Sequence, residues 1–134
     1  MIIRIDKTSS EPLYLQIRAN VISGIARGEL EPGFSLPSVR VLANDLGVNF
    51  HTVNKAYAVL RDEGYVLLHG RRGAVVADPH IDGETPMSLH EGQKMEEELY
   101  ALALAFRARG GKQEDFVSAA SSQSKKAYRE DTDR

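Results

Sequence analysis

The sequence contains no cysteine, which excludes disulfides and thiolate metal sites. It has no apolar run near the roughly 20 residues that a membrane-spanning helix needs, and its N-terminus lacks a signal-peptide pattern. A cytoplasmic protein is the expectation. It also lacks an excess of positive charge: the formal net charge is −2 over 134 residues. Residues 1–78 hold nine Lys/Arg and eight Asp/Glu, and residues 79–134 hold eight and eleven. This is not the strongly basic balance of many nucleic-acid binders. Any cationic field must therefore be a local patch, for which Arg40, Lys55, Arg71 and Arg72 are the candidates.

Catalytic patterns are missing too. No serine or histidine sits in a nucleophile motif, and no phosphate-binding glycine loop is present. His51, His69, His80 and His90 fall on separate elements, without the paired spacing that sets two metal ligands on one helix face. Glu96-Glu97-Glu98 reads as a solvated face rather than an acid–base pair. No enzyme activity, cofactor or metal is expected.

What is present is concentrated between Leu36 and Leu60. Val39, Leu42, Ala43 and Leu46 recur at helical spacing, as do Val53, Ala56, Tyr57 and Leu60. Gly47 lies between the two sets, and Ser38 and Asn49 are N-cap residue types before each. Two helices joined by so tight a turn make either a plain helical hairpin or a helix-turn-helix, whose second helix can enter the DNA major groove. Residues 64 to 77 favour the second reading. Gly64 stops the helix, Tyr65 to His69 reads as a strand, Gly70-Arg71-Arg72-Gly73 as a turn carrying two cations, and Ala74 to Ala77 as the returning strand. A helix-turn-helix with such a basic hairpin is a winged helix.

Residues 12 to 77 resemble the DNA-binding domain of the GntR family of bacterial transcription regulators. The residues that carry the resemblance include Pro12-Leu13-Tyr14, Pro32-Gly33, Leu36-Pro37-Ser38 with Arg40, Leu42-Ala43, Leu46-Gly47-Val48, Thr52-Val53 and Ala56-Tyr57. The short remainder is similar to the YtrA-type subfamily, which carries two helices where larger members carry a ligand-binding or enzyme-like domain. The resemblance implies a DNA-contacting arginine at Arg40 and repression as the default mode of action. Some relatives carry a cofactor-dependent aminotransferase-like domain, which this chain is too short to hold.

The expected fold is α+β and mainly helical. It comprises a winged helix-turn-helix over residues 1–78, a linker over 79–93 and a helical dimerisation tail over 94–134. Met1 to Ile5 reads as a short edge strand or an extended arm. Ser9-Ser10-Glu11-Pro12 opens a helix, with Ser10 or Glu11 as its cap and Pro12 in its first turn. Leu13, Tyr14, Ile17, Val21 and Ile25 form its apolar stripe and Gly24 is a weak point inside it. Glu31-Pro32-Gly33-Phe34 fits a type II turn. Val41 stands where the family usually has a carboxylate or amide, so the capping box with Ser38 stays open. In the tail, Met95, Leu99, Leu102 and Phe106 form a coiled-coil-like stripe, Gly110-Gly111 breaks the helix, and a second helix runs from about Gln113 to Tyr128.

With Val53, Tyr57 and Leu60 inward, helical periodicity turns His51, Asn54, Lys55 and Ala58 outward. Asn54 suits adenine, and Lys55 suits guanine or a phosphate. Thr52 fits a phosphate contact, and Arg71 and Arg72 suit the minor groove or its phosphates. Phe50 and Asn54 depart from other GntR branches, which place arginines there, while YtrA-type members often have proline at the first. Phe50 is left to pack on the preceding helix or to touch a thymine methyl group. The resemblance thus implies a mode of binding but no base preference. Three classes compete: a homodimeric regulator on an inverted-repeat operator, a winged helix used only for protein contact, and a small enzyme. The cationic residues favour the first. An effector, if one exists, would be a small molecule in a crevice between subunits.

Overall fold

The computed structural model describes residues 3–70, 73–78 and 89–129, with backbone alone at 89 and 90. Its elements run α1 (Leu13–Ala26), α2 (Val39–Leu46), α3 (Phe50–Asp62), β1 (Val66–Leu68), β2 (Ala74–Val76), α4 (Leu89–Ala108) and α5 (Gln113–Arg129). The chain divides into two compact units, Met1–Asp82 and Gly83–Arg134.

In the first unit, α1, α2, α3 and the hairpin enclose one apolar core. Ile17 and Val21 of α1 and Val53, Ala56 and Leu60 of α3 are fully removed from solvent. Leu42 and Ala43 of α2, Val66 of β1, and Ala74 and Val76 of β2 complete the same cluster. The four apolar positions read from the α3 sequence are all buried. On α2, Val39 and Leu46 of the expected set are only half-buried.

Hydrogen bonds at the helix ends set the path of the chain. α1 stops in a Schellman arrangement, with Glu29 N–H donating to the Gly24 carbonyl at 2.9 Å and Gly28 N–H to that of Ile25 at 3.2 Å. Gly47 repeats this stop for α2 in the left-handed conformation (φ 66°), where Val48 N–H donates to the Ala43 carbonyl. The turn at Glu31–Phe34 closes through Phe34 N–H to the Glu31 carbonyl at 3.0 Å. Beyond this turn lies a pairing too short to stand out in the sequence periodicity. Residues 33–36 pair with the outer edge of β2, Leu36 N–H donating to the Ala74 carbonyl and Val76 N–H to that of Phe34. The β1–β2 hairpin is antiparallel, with Leu67 opposite Val75, and residues 33–36 flank it.

The N-terminal segment is an extended arm rather than a strand. Two side-chain amides one helical turn apart on α1 hold it. Gln16 Oε1 accepts from Asp6 N–H at 2.7 Å while its Nε2 donates to the Asp6 carbonyl at 3.0 Å. Asn20 forms the same two-way pair with the backbone of Arg4. These amides replace the neighbouring strand that an edge strand requires. Pro12 stands just before α1, as its N-cap and outside the first turn, and neither Ser10 nor Glu11 caps it through a side chain.

In the second unit, α4 begins at Leu89, earlier than the expected end of the linker at Gln93. Polar residues and one glycine give this stretch the look of a loop; an interior glycine costs about 1 kcal/mol, too little to end a long helix. Phe106 and Phe116 meet at 6.1 Å between ring centroids, joining α4 to α5. A Cβ at Gly111 would fall 2.3 Å from the Phe106 ring, so the helical break also makes room for that ring. Among the described residues of this unit, none is buried. The residues 79–88 of the expected linker and the 130–134 end lie outside the described residues.

Candidate nucleic-acid interface

The α2–turn–α3 unit is built so that the first turns of both helices are fixed. Ser38 Oγ accepts from Val41 N–H at 3.2 Å, and Asn49 Oδ1 accepts from His51 N–H at 2.8 Å. Each satisfies a backbone donor that the helix itself leaves without a partner. The Tyr57 hydroxyl donates to the Pro37 carbonyl at 2.7 Å, tying the middle of α3 to the segment that enters α2. Burial pushes its phenol well above the usual tyrosine range. Lys7 of the arm donates to the Gly47 carbonyl at 2.9 Å, supporting the turn from a distant part of the chain.

Arg40 projects into solvent from the start of α2. The alternative role for this residue is a surface ion pair, with Asp45 or Glu63 as partner. Glu63 is instead engaged by Arg18, Nε to Oε1 at 2.5 Å and Nη2 to Oε2 at 2.8 Å. Among the described residues, no ion pair involves Arg40.

On α3, His51, Asn54 and Lys55 are exposed and Thr52 and Ala58 are half-buried. No carboxylate occurs on α3 before Asp62. The Lys55 ammonium lies 4.2 Å from the centroid of the Tyr14 ring, a cation–π contact that draws this cation towards α1. Phe50 leans on His51, with ring centroids 4.1 Å apart. Arg40, Asn54 and Lys55 thus belong to one helix-turn-helix unit, while Arg71 and Arg72 lie outside the described residues. Among the residues that flank them, His69 N–H donates to the Gly73 carbonyl and Gly73 N–H to that of Gly70.

Sequence reasoning missed Lys7 and Tyr14 as neighbours of this surface. Each acts across a gap of 40 residues or so in the chain; a lone lysine leaves no periodic mark, and the place of Tyr14 in the apolar stripe of α1 does not tell which residue of α3 it meets. Among the described residues there is no cluster of three or more metal-ligand side chains, and no helix is long and apolar enough to cross a membrane.

Residues 13–76 match the family described as "Bacterial regulatory proteins, gntR family". The HTH-type transcriptional regulator Rv1152 of Mycobacterium tuberculosis is 41% identical over 75 residues, 56% of this chain and 62% of that protein. The HTH-type transcriptional repressor YtrA of Bacillus subtilis is 40% identical over 76 residues, 57% of this chain and 58% of that one. The matches thus span about three fifths of the length of these two relatives. The solved structure of YtrA from Sulfolobus acidocaldarius, a GntR-family transcription factor, is 43% identical, with a TM-score of 0.63, over 78% of this chain and 99% of that one. The DNA-binding domain of AraR, solved in complex with operator ORX1, is 27% identical, with a TM-score of 0.50, over 55% of this chain and 93% of that one.

Proposed function

The chain belongs to the GntR family of bacterial transcription regulators, in its YtrA-type branch, and from that premise we propose that it binds an inverted-repeat operator as a homodimer and represses transcription. The observation that carries this reading is the outer face of α2 and α3. It offers Arg40, His51, Asn54 and Lys55 to solvent, with no carboxylate on α3 ahead of Asp62 and no ion pair at Arg40 among the described residues. A recognition helix reads base edges through its N-terminal residues, while cations and hydroxyls nearby take phosphates. Asn54 and Arg40 are assigned base or base-flanking contacts; Thr52 and Lys55 are assigned phosphates, with Arg71 and Arg72 of the wing alongside. The place of Lys55 beside α1 supports its phosphate role over a guanine contact.

The homodimer rests on the second unit. Met95, Leu99, Leu102 and Phe106 are 38–61% exposed, and no described residue of α4 or α5 is buried. A two-fold partner would cover this stripe and set two recognition helices on one duplex, so that half-sites repeat at about one helical turn or a multiple of it. Repression is carried over from the named activity of the Bacillus subtilis relative. Selecting bound duplexes from a random library with the full-length chain tests the proposal. The expected product is a palindrome bound by two chains. A selected site without two-fold symmetry, bound by one chain, would reject the dimeric part of the reading, and a failure to select any sequence would reject the whole.

A further inference from the structure

We propose that the groove between the start of α2 and the start of α3 is a methyl-reading site, in which Val41 and Phe50 receive the C5-methyl group of a thymine in the major groove. This rests on the DNA-binding reading above and adds a base preference to it. Val41 is 53% exposed and Phe50 45% exposed. Both line one open groove, together with Val48, Arg40 and Asn44. Neither side chain belongs to the core: α2 turns Leu42 and Ala43 inward, and α3 turns Val53, Ala56, Tyr57 and Leu60 inward. Two large apolar side chains are thus left in water at the N-terminal ends of both helices.

The groove's chemistry selects its occupant. Its apolar wall carries a cation at Arg40 and an amide at Asn44, and no carboxylate lines it. This suits an anionic partner that presents a small apolar group. Among the bases of DNA in the major groove, thymine alone offers one, its C5-methyl, and side chains such as Phe meet it by simple contact. The groove is continuous with the first turn of α3, where a recognition helix reaches base edges. The Phe50 ring is also braced by His51, at 4.1 Å between centroids and 34° between planes, so it meets the duplex as a positioned anchor. 5-Methylcytosine carries the same methyl group, and the test separates the two.

The experiment begins with the site selected by the full-length chain and replaces each thymine by uracil in turn. This removes one methyl and leaves the base pairing intact. At one or two positions in each half-site, affinity is expected to fall about three- to fivefold, the order expected for one buried methyl group. Phe50→Ala should lower affinity for the thymine site to that for the uracil site and so abolish the difference, and Val41→Ser should reduce it; both residues are exposed, so circular dichroism should report a folded chain. Equal affinity for thymine and uracil at every position would overturn the inference while leaving DNA binding intact. So would a methyl dependence that persists undiminished in both variants. A gain on methylating a cytosine, with no loss on substituting uracil, would assign the groove to 5-methylcytosine and reject thymine. If no duplex is selected at all, the inference fails together with the reading beneath it.

Discussion

A Cβ atom on Gly24 would stand 2.9 Å from Leu30 Cδ1 and 3.0 Å from its Cγ. The absent side chain of α1 is the seat of a core leucine that is itself 1% exposed. On an exposed helix, alanine would improve on glycine by about 1 kcal/mol. Here overpacking should win, and Gly24→Ala is expected to destabilise the first unit by about 1–3 kcal/mol. The double variant with Leu30→Ala should lose less than the sum of the two single losses, because the second change removes the collision. Urea denaturation of the two single variants and the double variant measures this; additive losses would refute the packing account.

The Tyr57–Pro37 hydrogen bond links stability to alkaline pH. Burial raises the phenol's folded-state pKa above its unfolded value near 10. Its stabilising contribution is therefore complete below pH of about 10 and is lost as pH rises beyond it. Tyr57→Phe should cost about 1 kcal/mol at neutral pH through the lost hydrogen bond, and should reduce the fall in stability above pH of about 10. Denaturation midpoints at neutral and alkaline pH for both proteins would settle it, and an unchanged alkaline slope in the variant would count against this role.

Under the proposed function, Arg40→Ala and Asn54→Ala should each weaken specific binding by about 1–3 kcal/mol if the contact is bidentate to a base. Arg71→Ala should weaken binding to all duplexes alike and lower the salt slope by about one unit. Titrations at several salt concentrations distinguish the two behaviours. Unchanged affinity in all three folded variants would remove the assigned face.

Leu99→Glu with Phe106→Glu should place carboxylates in the proposed interface, where desolvation and repulsion oppose association. The winged helix should stay folded, since its core lies in the other unit. Light scattering should report a monomer, and affinity for a full palindrome should approach that for a half-site. A variant that remains dimeric with full palindrome affinity would place the interface elsewhere.

Local patterns made much of the fold legible. The buried set of α3, the caps at Ser38 and Asn49, the turn at Pro32-Gly33 and the stop at Gly47 each arise from residues within a turn or two of one another. What escaped was held by single residues far apart in the chain. Gln16 and Asn20 look like ordinary polar positions on α1, yet they hold the arm. Gly24 reads as a flaw until Leu30 is brought against it. Residues 33–36 alternate over too short a stretch to read as a strand, and their pairing to β2 comes from the direction the turn gives them. At the candidate site, periodicity and resemblance named Arg40, Asn54 and Lys55 as candidates, and they are exposed on α2 and α3; the contacts of Tyr14 with Lys55 and of Lys7 with the turn were not legible.

The tail, none of whose described residues is buried, bears on how such a protein would respond to its own abundance. A pair of helices that fully buries none of its described side chains gains little burial to offset the entropy of ordering its backbone. If a second chain supplies that burial, folding of the tail and meeting of the subunits become one equilibrium, and the melting temperature of the tail rises with protein concentration. In the dilute regime, where free chains are mostly monomeric, the occupied fraction of a two-fold operator then climbs with the square of the chain concentration. A modest change in synthesis is thereby turned into a sharper change in occupancy, with no ligand required.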